Sequence, residues 1–411
     1  MHITFVSQYF PPEVNAPAVR THEHAKEWVE AGHDVTVITG FPNHPDGVIP
    51  PDYQGEFFRR ETIDGIDVVR TWLYAAPNAG FARRIANYLS FAASSVGLGG
   101  LLTEPPDVLV ATSPQLFVGL SGVALSRLFD VPFVVEIRDL WPKSIEDMGV
   151  LDDRVTIGAL EALETLMYRA AERVVIVSES FRDHIAERGV NSTNIEFIPN
   201  GIDPEFLDEA ESVEVRDEFD IDEDAFLVGY VGTHGMAHGL TNVLDAADEL
   251  SNEDVEFLFV GDGARRDALI EKTEDEGIDN ATFGGMQPRE TIPSFYDACD
   301  VCLVPLRDEP VFKTVLPSKM FEIMAVGTPM VVSVGGEAER VVSEGDAGVC
   351  VPPEDTEAMV EAIEHLAEDE LACEKLSDRE QEYVWEEFSR PALARRYLEL
   401  FEDILRSGRS D

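Results

Sequence analysis

Lysine is almost missing from this chain of 411 residues: Lys26, Lys143, Lys272, Lys313, Lys319 and Lys375 are all it has. Basic side chains as a class are few, 31 Lys and Arg against 80 Asp and Glu, giving a formal charge of −49. Such a balance excludes general affinity for nucleic acid, whose phosphates attract the opposite sign. The carboxylates are scattered through periodic segments that also carry apolar residues, so they read as a solvated shell on a folded protein and not as a disordered tail. With so little Lys, the composition fits adaptation to high salt, as in an extreme halophile such as a halophilic archaeon. An acidic protein from an ordinary cell is the competing reading.

Cysteine is scarce as well, with four in the chain. Cys299 and Cys302 have CxxC spacing, but no second pair stands at metal-site distance and the context ACDVCLVP reads as a strand entering a sheet. Two buried thiols are therefore expected, and no metal. A basic segment leading into a long apolar core is also lacking ahead of Ile3 to Val6, which already reads as buried β structure. That absence predicts a chain that stays in the cytoplasm.

Uninterrupted long apolar runs are absent too. The nearest approach is FARRIANYLSFAASSVGLGGLL, Phe81 to Leu102, where Asn87, three Ser and three Gly break the run and two Arg stand at its head. This argues against a spanning helix. A peripheral, membrane-facing helix and an ordinary buried one remain the two readings. Charge favours the N-terminal half for approach to an anionic surface: residues 1–200 hold 15 basic and 27 acidic side chains, the remainder 16 and 53.

What is present is a chain long enough for two domains, with 44% hydrophobic residues to fill their cores. Short apolar runs alternate with amphipathic stretches such as Thr21 to Ala31 and Ile157 to Ala171. Strands are expected at Ile3–Val6, Val35–Thr39, Val68–Thr71, Val108–Ala111, Phe133–Ile137, Arg173–Val177 and Glu196–Ile198. After PNGID a second series follows: Leu227–Val231, Glu256–Val260, Ala281–Phe283, Val301–Val304, Met330–Val334 and Gly348–Val351. The pattern predicts an α/β protein of two Rossmann-like, doubly wound domains. Only the last few residues look disordered.

The chemistry concentrates in LPSKMFEIMAVGTPMVVSVGGEAERVV, Leu316 to Val342. Ser318 reads as an N-cap, Lys319 to Val326 as a helix ended by Gly327 and Pro329, and PMVVSV as a strand buried on both faces. The first helical turn offers free amides and a positive dipole end, and Lys319 adds a full charge there, so the feature suits a phosphate. Glu322, one turn on, suits a vicinal diol such as a ribose. Gly335 and Gly336 at the strand's end allow close backbone approach to a ligand.

The pattern E-x-M-A-x-G-x-P-x-V-x3-G-G-x-x-E, with Glu322 and Glu339 on its acidic positions, resembles the donor signature of the retaining glycosyltransferases of family 4. PNGID (Pro199–Asp203) and GYVGTHGMAHGL (Gly229–Leu240) resemble that family's inter-domain turn and second donor loop. ITFVSQYFPPEVNAPAVR, TGFPNHPDG and VVEIRDLWPKS resemble a branch that transfers deoxy-amino sugars, of fucosamine type, in surface polysaccharide assembly. The resemblance covers nearly the whole chain. It implies a GT-B fold with a cleft between an acceptor-binding domain, residues 1–203 completed by a helix about 390–406, and a nucleotide-sugar-binding domain, residues 204–389. It also implies metal-independent, cofactor-free transfer with retention from a UDP-sugar to a lipid-linked or nascent glycan. Phe81–Leu102 resembles the face that membrane-associated members press against lipid.

Residue by residue, the resemblance assigns Ser318 and Lys319 to phosphate, Glu322 to ribose, and Gly335, Gly336 and Glu339 to the sugar and phosphate edge. Gly232, Thr233 and His238 belong to the second loop. Arg138 and Asp139 of EIRD, with His44 of FPNHP, fall at the catalytic centre. Asn15, Arg20, Arg83 and Arg84 are read as acceptor contacts. Departures exist: the first acid of the family's E-x7-E pair is Thr314, and Thr233 and His238 stand where Arg and Lys are usual, with Lys313, Arg307 or Lys319 as compensating cations. Arg138 stands where many relatives carry His and cannot serve as a base, although it can hold an anion bidentately. A UDP-sugar 2-epimerase on the same fold and a non-catalytic partner subunit are the alternatives left open.

Overall fold

The apolar runs of the first half pair into one sheet, built from β1 (His2–Val6), β2 (Asp34–Gly40), β3 (Phe58–Ile63), β4 (Ile66–Thr71), β5 (Val108–Thr112), β6 (Phe133–Ile137), β7 (Arg173–Ile176) and β8 (Ile195–Phe197). The computed structural model describes residues 1–76, 81–113, 115–147 and 153–408; the last three residues of the terminus expected to be disordered lie outside these. Strand order is β3-β4-β2-β1-β5-β6-β7-β8. The pairings are parallel apart from β3 with β4, which run antiparallel with Phe58 opposite Thr71. Strand β3 escapes a reading based on apolar runs because FRRETI is an edge strand alternating exposed and half-buried positions.

Burial explains the C-terminal helix, Arg390–Ser407. Its Tyr397 and Phe401 join Phe5 and Trp28 in the core on one face of this sheet, and Trp28 donates its indole N–H to Ala394 O at 3.1 Å. One compact unit accordingly comprises Met1–Pro199 and the chain from Leu393 onward.

The second unit, Asn200–Ala392, holds β9 (Phe226–Val231), β10 (Val255–Val260), β11 (Ala281–Gly285), β12 (Val301–Pro305), β13 (Met330–Ser333) and β14 (Val349–Cys350). They form a parallel sheet in the order β11-β10-β9-β12-β13-β14. Order reverses between β9 and β12, a switch point of the kind at which open α/β sheets bind ligands. Cys299 and Cys302 are buried free thiols against Gly229, where an added Cβ would lie 2.3 Å from Cys299 Sγ.

The segment Phe81–Leu102 forms a helix to Ser94, a wider turn over Ser95–Gly99 and a last turn to Leu102. By length and composition its part from Arg83 to Leu102 could cross a bilayer. One face is docked on its own unit, with Asn87 and Phe91 buried and Gly99 so close to β2 that a Cβ would lie 2.9 Å from Ile38 Cγ2. The other face is open: Leu89 is 47% exposed and Leu101 84%.

Candidate active site

Pro317, not Ser318, is the N-cap of the helix in the key stretch; the helix is Ser318–Val326 and ends at Gly327 with φ +87°. The one-residue shift has a simple cause: proline's fixed φ sets the chain direction, and no side chain caps the helix, so its first amides keep no side-chain partner. Beyond β13, Gly336 has φ +76°, and a Cβ there would lie 2.3 Å from Lys313 O. Only glycine lets this loop press on the Lys313 backbone.

A cavity of about 590 Å³ opens at the carboxyl ends of β9 and β12. Gly232, Thr233, His238, Ser318, Lys319 and Glu322, six of the residues expected to hold a donor, line it together. Lys319 extends so that its Nζ is buried with no hydrogen-bond partner, 3.9 Å from the centre of the Tyr230 ring. Its stem stays partly exposed. Gly232 makes room for the ammonium, since a Cβ there would lie 2.5 Å from Nζ. Burial drives the Lys319 pKa down to about 7, against the opposing pull of Glu322 and Cys302. Burial, then the Lys319 charge, lowers His238 to about 4.

Glu322 accepts a hydrogen bond from the Tyr296 hydroxyl at 3.1 Å. Burial pushes its carboxyl up, while Arg289, Tyr296 and Lys319 work the other way. Tyr230, Tyr296, Gln287 and Arg289 are not among the expected site residues: Tyr230 falls within the second-loop segment GYVGTHGMAHGL and lies under Lys319, whereas the other three join the cavity lining only through the fold. Lys319 occupies the space beside the second loop, whose usual cations are replaced by Thr233 and His238.

Gly335, Gly336 and Glu339 stand outside the lining of this cavity, on the loop into the helix Glu337–Gly345. Glu339 is exposed and accepts from the Gly336 amide at 3.3 Å, a helix-capping contact. Thr314 donates to Val311 O within its own turn at 2.9 Å. Lys313 pairs with Asp308, and Arg307 with Glu354 and Glu309. Those two cations are thus engaged at the surface, which leaves Lys319, of the three, in the cavity, where Arg289 also lines the wall.

In the first unit, one expectation fails. Arg20 is no acceptor ligand: it is buried, with Nε on Glu136 Oε2 at 2.8 Å and its terminal nitrogens donating to Pro199 O at 2.5 Å and Ile198 O at 2.8 Å. The partner carboxylate lies on β6, so charge neutralisation inside the sheet outweighs exposure of the guanidinium. Asn15 caps the helix Ala16–Glu30, accepting from Ala18 N at 3.0 Å. Its Oδ1 is therefore committed to the fold.

His44 and Arg84 line one narrow hollow with Tyr9, Asn43 and Tyr88, whereas Arg83 is exposed outside it. Glu13 orients this loop, accepting from Asn43 N at 2.9 Å and His44 N at 2.8 Å. Arg138 and Asp139 follow β6 at its carboxyl end; Arg138 N donates to Ser113 Oγ at 3.3 Å, and Asp139 accepts from Ser144 Oγ at 2.9 Å. Burial raises the Asp139 carboxyl pKa.

Two doubly wound units, one with a cavity at its switch point lined by Lys319, define a GT-B architecture. The model of the Glycosyl transferase 4-like domain matches residues 15–201 and that of Glycosyl transferases group 1 matches residues 212–383. The chain belongs to this family of glycosyltransferases. Among its relatives is a protein of Escherichia coli K12 named for glycosyl transfer in colanic acid biosynthesis, 29% identical over 366 residues, 86% of this chain and 89% of that one. The alpha-D-kanosaminyltransferase of Streptomyces kanamyceticus is 27% identical over 62% of this chain and 66% of its own. Anabaena HepE, solved in complex with UDP, superposes with a TM-score of 0.67 over 98% of this chain and 100% of its own at 18% identity.

Proposed function

We propose that this glycosyltransferase moves a hexosamine or deoxy-amino sugar, with retention, from UDP to a lipid-linked or nascent surface glycan. The observation that carries the reading is the joining of Lys319 Nζ and the Tyr296-held Glu322 carboxylate in one cavity. A buried cation beside uncapped helix amides suits a diphosphate, and a fixed carboxylate one turn on suits the ribose diol. Departure of a nucleoside diphosphate leaves an oxocarbenium-like centre, so the protein mainly has to orient the partners and neutralise oxygen charge. Lys319 and the Ser318 amide do so in this account, with the Gly232–Thr233 loop and His238 closing on the phosphates. Gly335, Gly336 and Glu339 hold the sugar edge. UDP as carrier is supported by HepE, and an amino sugar by the kanosaminyltransferase.

The first unit is assigned the acceptor. His44 and Arg84 share a hollow, and Arg138 and Asp139 stand at a strand's carboxyl end. The half-exposed apolar helix headed by Arg83 and Arg84, in the less acidic half of the chain, supports peripheral attachment to the inner face of a cell membrane. The acidic shell supports work in molar salt.

Product analysis of purified protein in molar salt decides the matter, using UDP-, GDP- and dTDP-sugars with and without a polyprenyl-linked acceptor. Sugar on the lipid only when acceptor is present supports transfer. Isomerised donor without acceptor identifies an epimerase, and nucleotide binding without turnover a non-catalytic subunit.

A further inference from the structure

Lys319 Nζ, His238 Nδ1 and both ring nitrogens of His234 are buried without hydrogen-bond partners, and all three residues gather on Tyr230. The ring centroids of His234 and His238 lie 5.8 Å and 6.2 Å from that of Tyr230, with Lys319 Nζ on the same ring. The groups facing Lys319 are Tyr230, His234 and His238 from β9 and its loop, Cys302 from β12, and Glu322 from its own helix. Asp262 and Arg266 act on His234 in turn. One Glu322 oxygen is occupied by Tyr296, and among the described residues no carboxylate lies within ion-pairing distance of Nζ.

An ammonium in that position has lost its water and gained one aromatic face. Attraction to the ring is worth about 2 kcal/mol when desolvated, less than the several kcal/mol per ion that burial costs. Without a ligand, the neutral amine competes with the charged form near neutral pH, in line with the depressed pKa. A diphosphate reverses the balance, because its oxygens supply the countercharge and acceptors that the wall lacks.

We propose that a nucleoside diphosphate enters this cavity together with a proton, which Lys319 takes from solvent as its amine becomes an ammonium against the diphosphate oxygens. This rests on the reading of the cavity as the donor site. No bond of the nucleotide changes. The amine lone pair takes up H⁺ on binding, and the ammonium returns it when the diphosphate leaves. The site thereby couples its charge to its cargo: a uridine without phosphates has nothing with which to hold the proton.

Calorimetric titration of UDP at pH 8, in Tris and in HEPES at one salt concentration, reads the proton directly, because the terminal phosphate of UDP is already ionised there. The two apparent enthalpies should differ by the uptake of about one proton per UDP, and affinity should fall about tenfold per pH unit above pH 8. Lys319→Arg, permanently charged, should bind UDP with no uptake. Lys319→Met, should the Arg variant not fold, should bind more weakly and also without uptake. Equal heats in both buffers overturn the coupling and leave the donor-site reading standing. Uptake that persists in Lys319→Arg or Lys319→Met overturns the assignment to Lys319 and moves the proton to His238 or His234. Failure of the wild-type protein to bind UDP at all overturns the donor-site reading itself.

Discussion

The hydroxyl of Tyr296 donates to Oε2 of Glu322 at 3.1 Å, fixing a half-buried carboxylate in the lining of the cavity. A carboxylate held this way presents its other oxygen to a ligand without first paying the entropy of orienting it. Tyr296→Phe removes one hydrogen bond to a charged group and keeps the ring packing. UDP affinity should fall about 10- to 150-fold, corresponding to about 1.5–3 kcal/mol. Calorimetry on the variant, with a matched thermal melt to show that the fold is retained, checks it.

The Glu322 carboxyl titrates above its ordinary value because burial disfavours its ionised form. As pH falls, this group should therefore lose its charge earlier than an exposed glutamate, and nucleotide affinity should decline with it. Glu322→Gln should bind UDP about 10- to 100-fold more weakly near neutral pH, and its acid decline should shrink to the part set by protonation of the UDP phosphate itself. Affinities measured between pH 4 and 7 for both proteins give the comparison.

Lys319 costs the free protein stability. Its folded pKa of about 7 lies below the unfolded value of 10.5, so in that window the unfolded chain binds more protons. The penalty is complete below pH 7 and fades as pH rises towards 10.5. Lys319→Met should therefore be more stable than the wild type at pH 6, by roughly 1–4 kcal/mol, while losing nucleotide affinity. Denaturant melts at pH 6 and pH 9 should show the gain shrinking at the higher pH.

Arg20 and Glu136 make the opposite case. Burial alone would raise the Glu136 carboxyl, but the Arg20 guanidinium, then Arg138, His24 and the Tyr397 hydroxyl bring it down to about 2. Its contribution to stability is present above the ordinary glutamate range and is lost as pH falls through about 2. Arg20→Met strands the carboxylate and should cost about 3–5 kcal/mol at neutral pH. A loss of acceptor affinity with no loss of stability would return Arg20 to the acceptor side.

These cases show what the sequence could and could not disclose. Lys319 and Glu322 are legible because a helix start, a charge and a carboxylate one turn later lie within a few residues, followed by a buried strand and two glycines. The parallel strands are legible as apolar runs for the same local reason. Tyr296 and Tyr230 are not, since a tyrosine in an apolar segment reads as core until the fold brings Glu322 or Lys319 onto it. Arg20 misleads because its partner is 116 positions away on β6, so a loop-side arginine reads as exposed. β3 hides because an edge strand needs no apolar run.

The most direct measurement is a crystal structure of the protein with UDP bound in molar salt. The account predicts diphosphate oxygens within hydrogen-bonding distance of Lys319 Nζ and the Ser318 amide, and the ribose diol on Glu322. A nucleotide bound elsewhere, with Lys319 still packed on Tyr230 and no anion beside it, would contradict it.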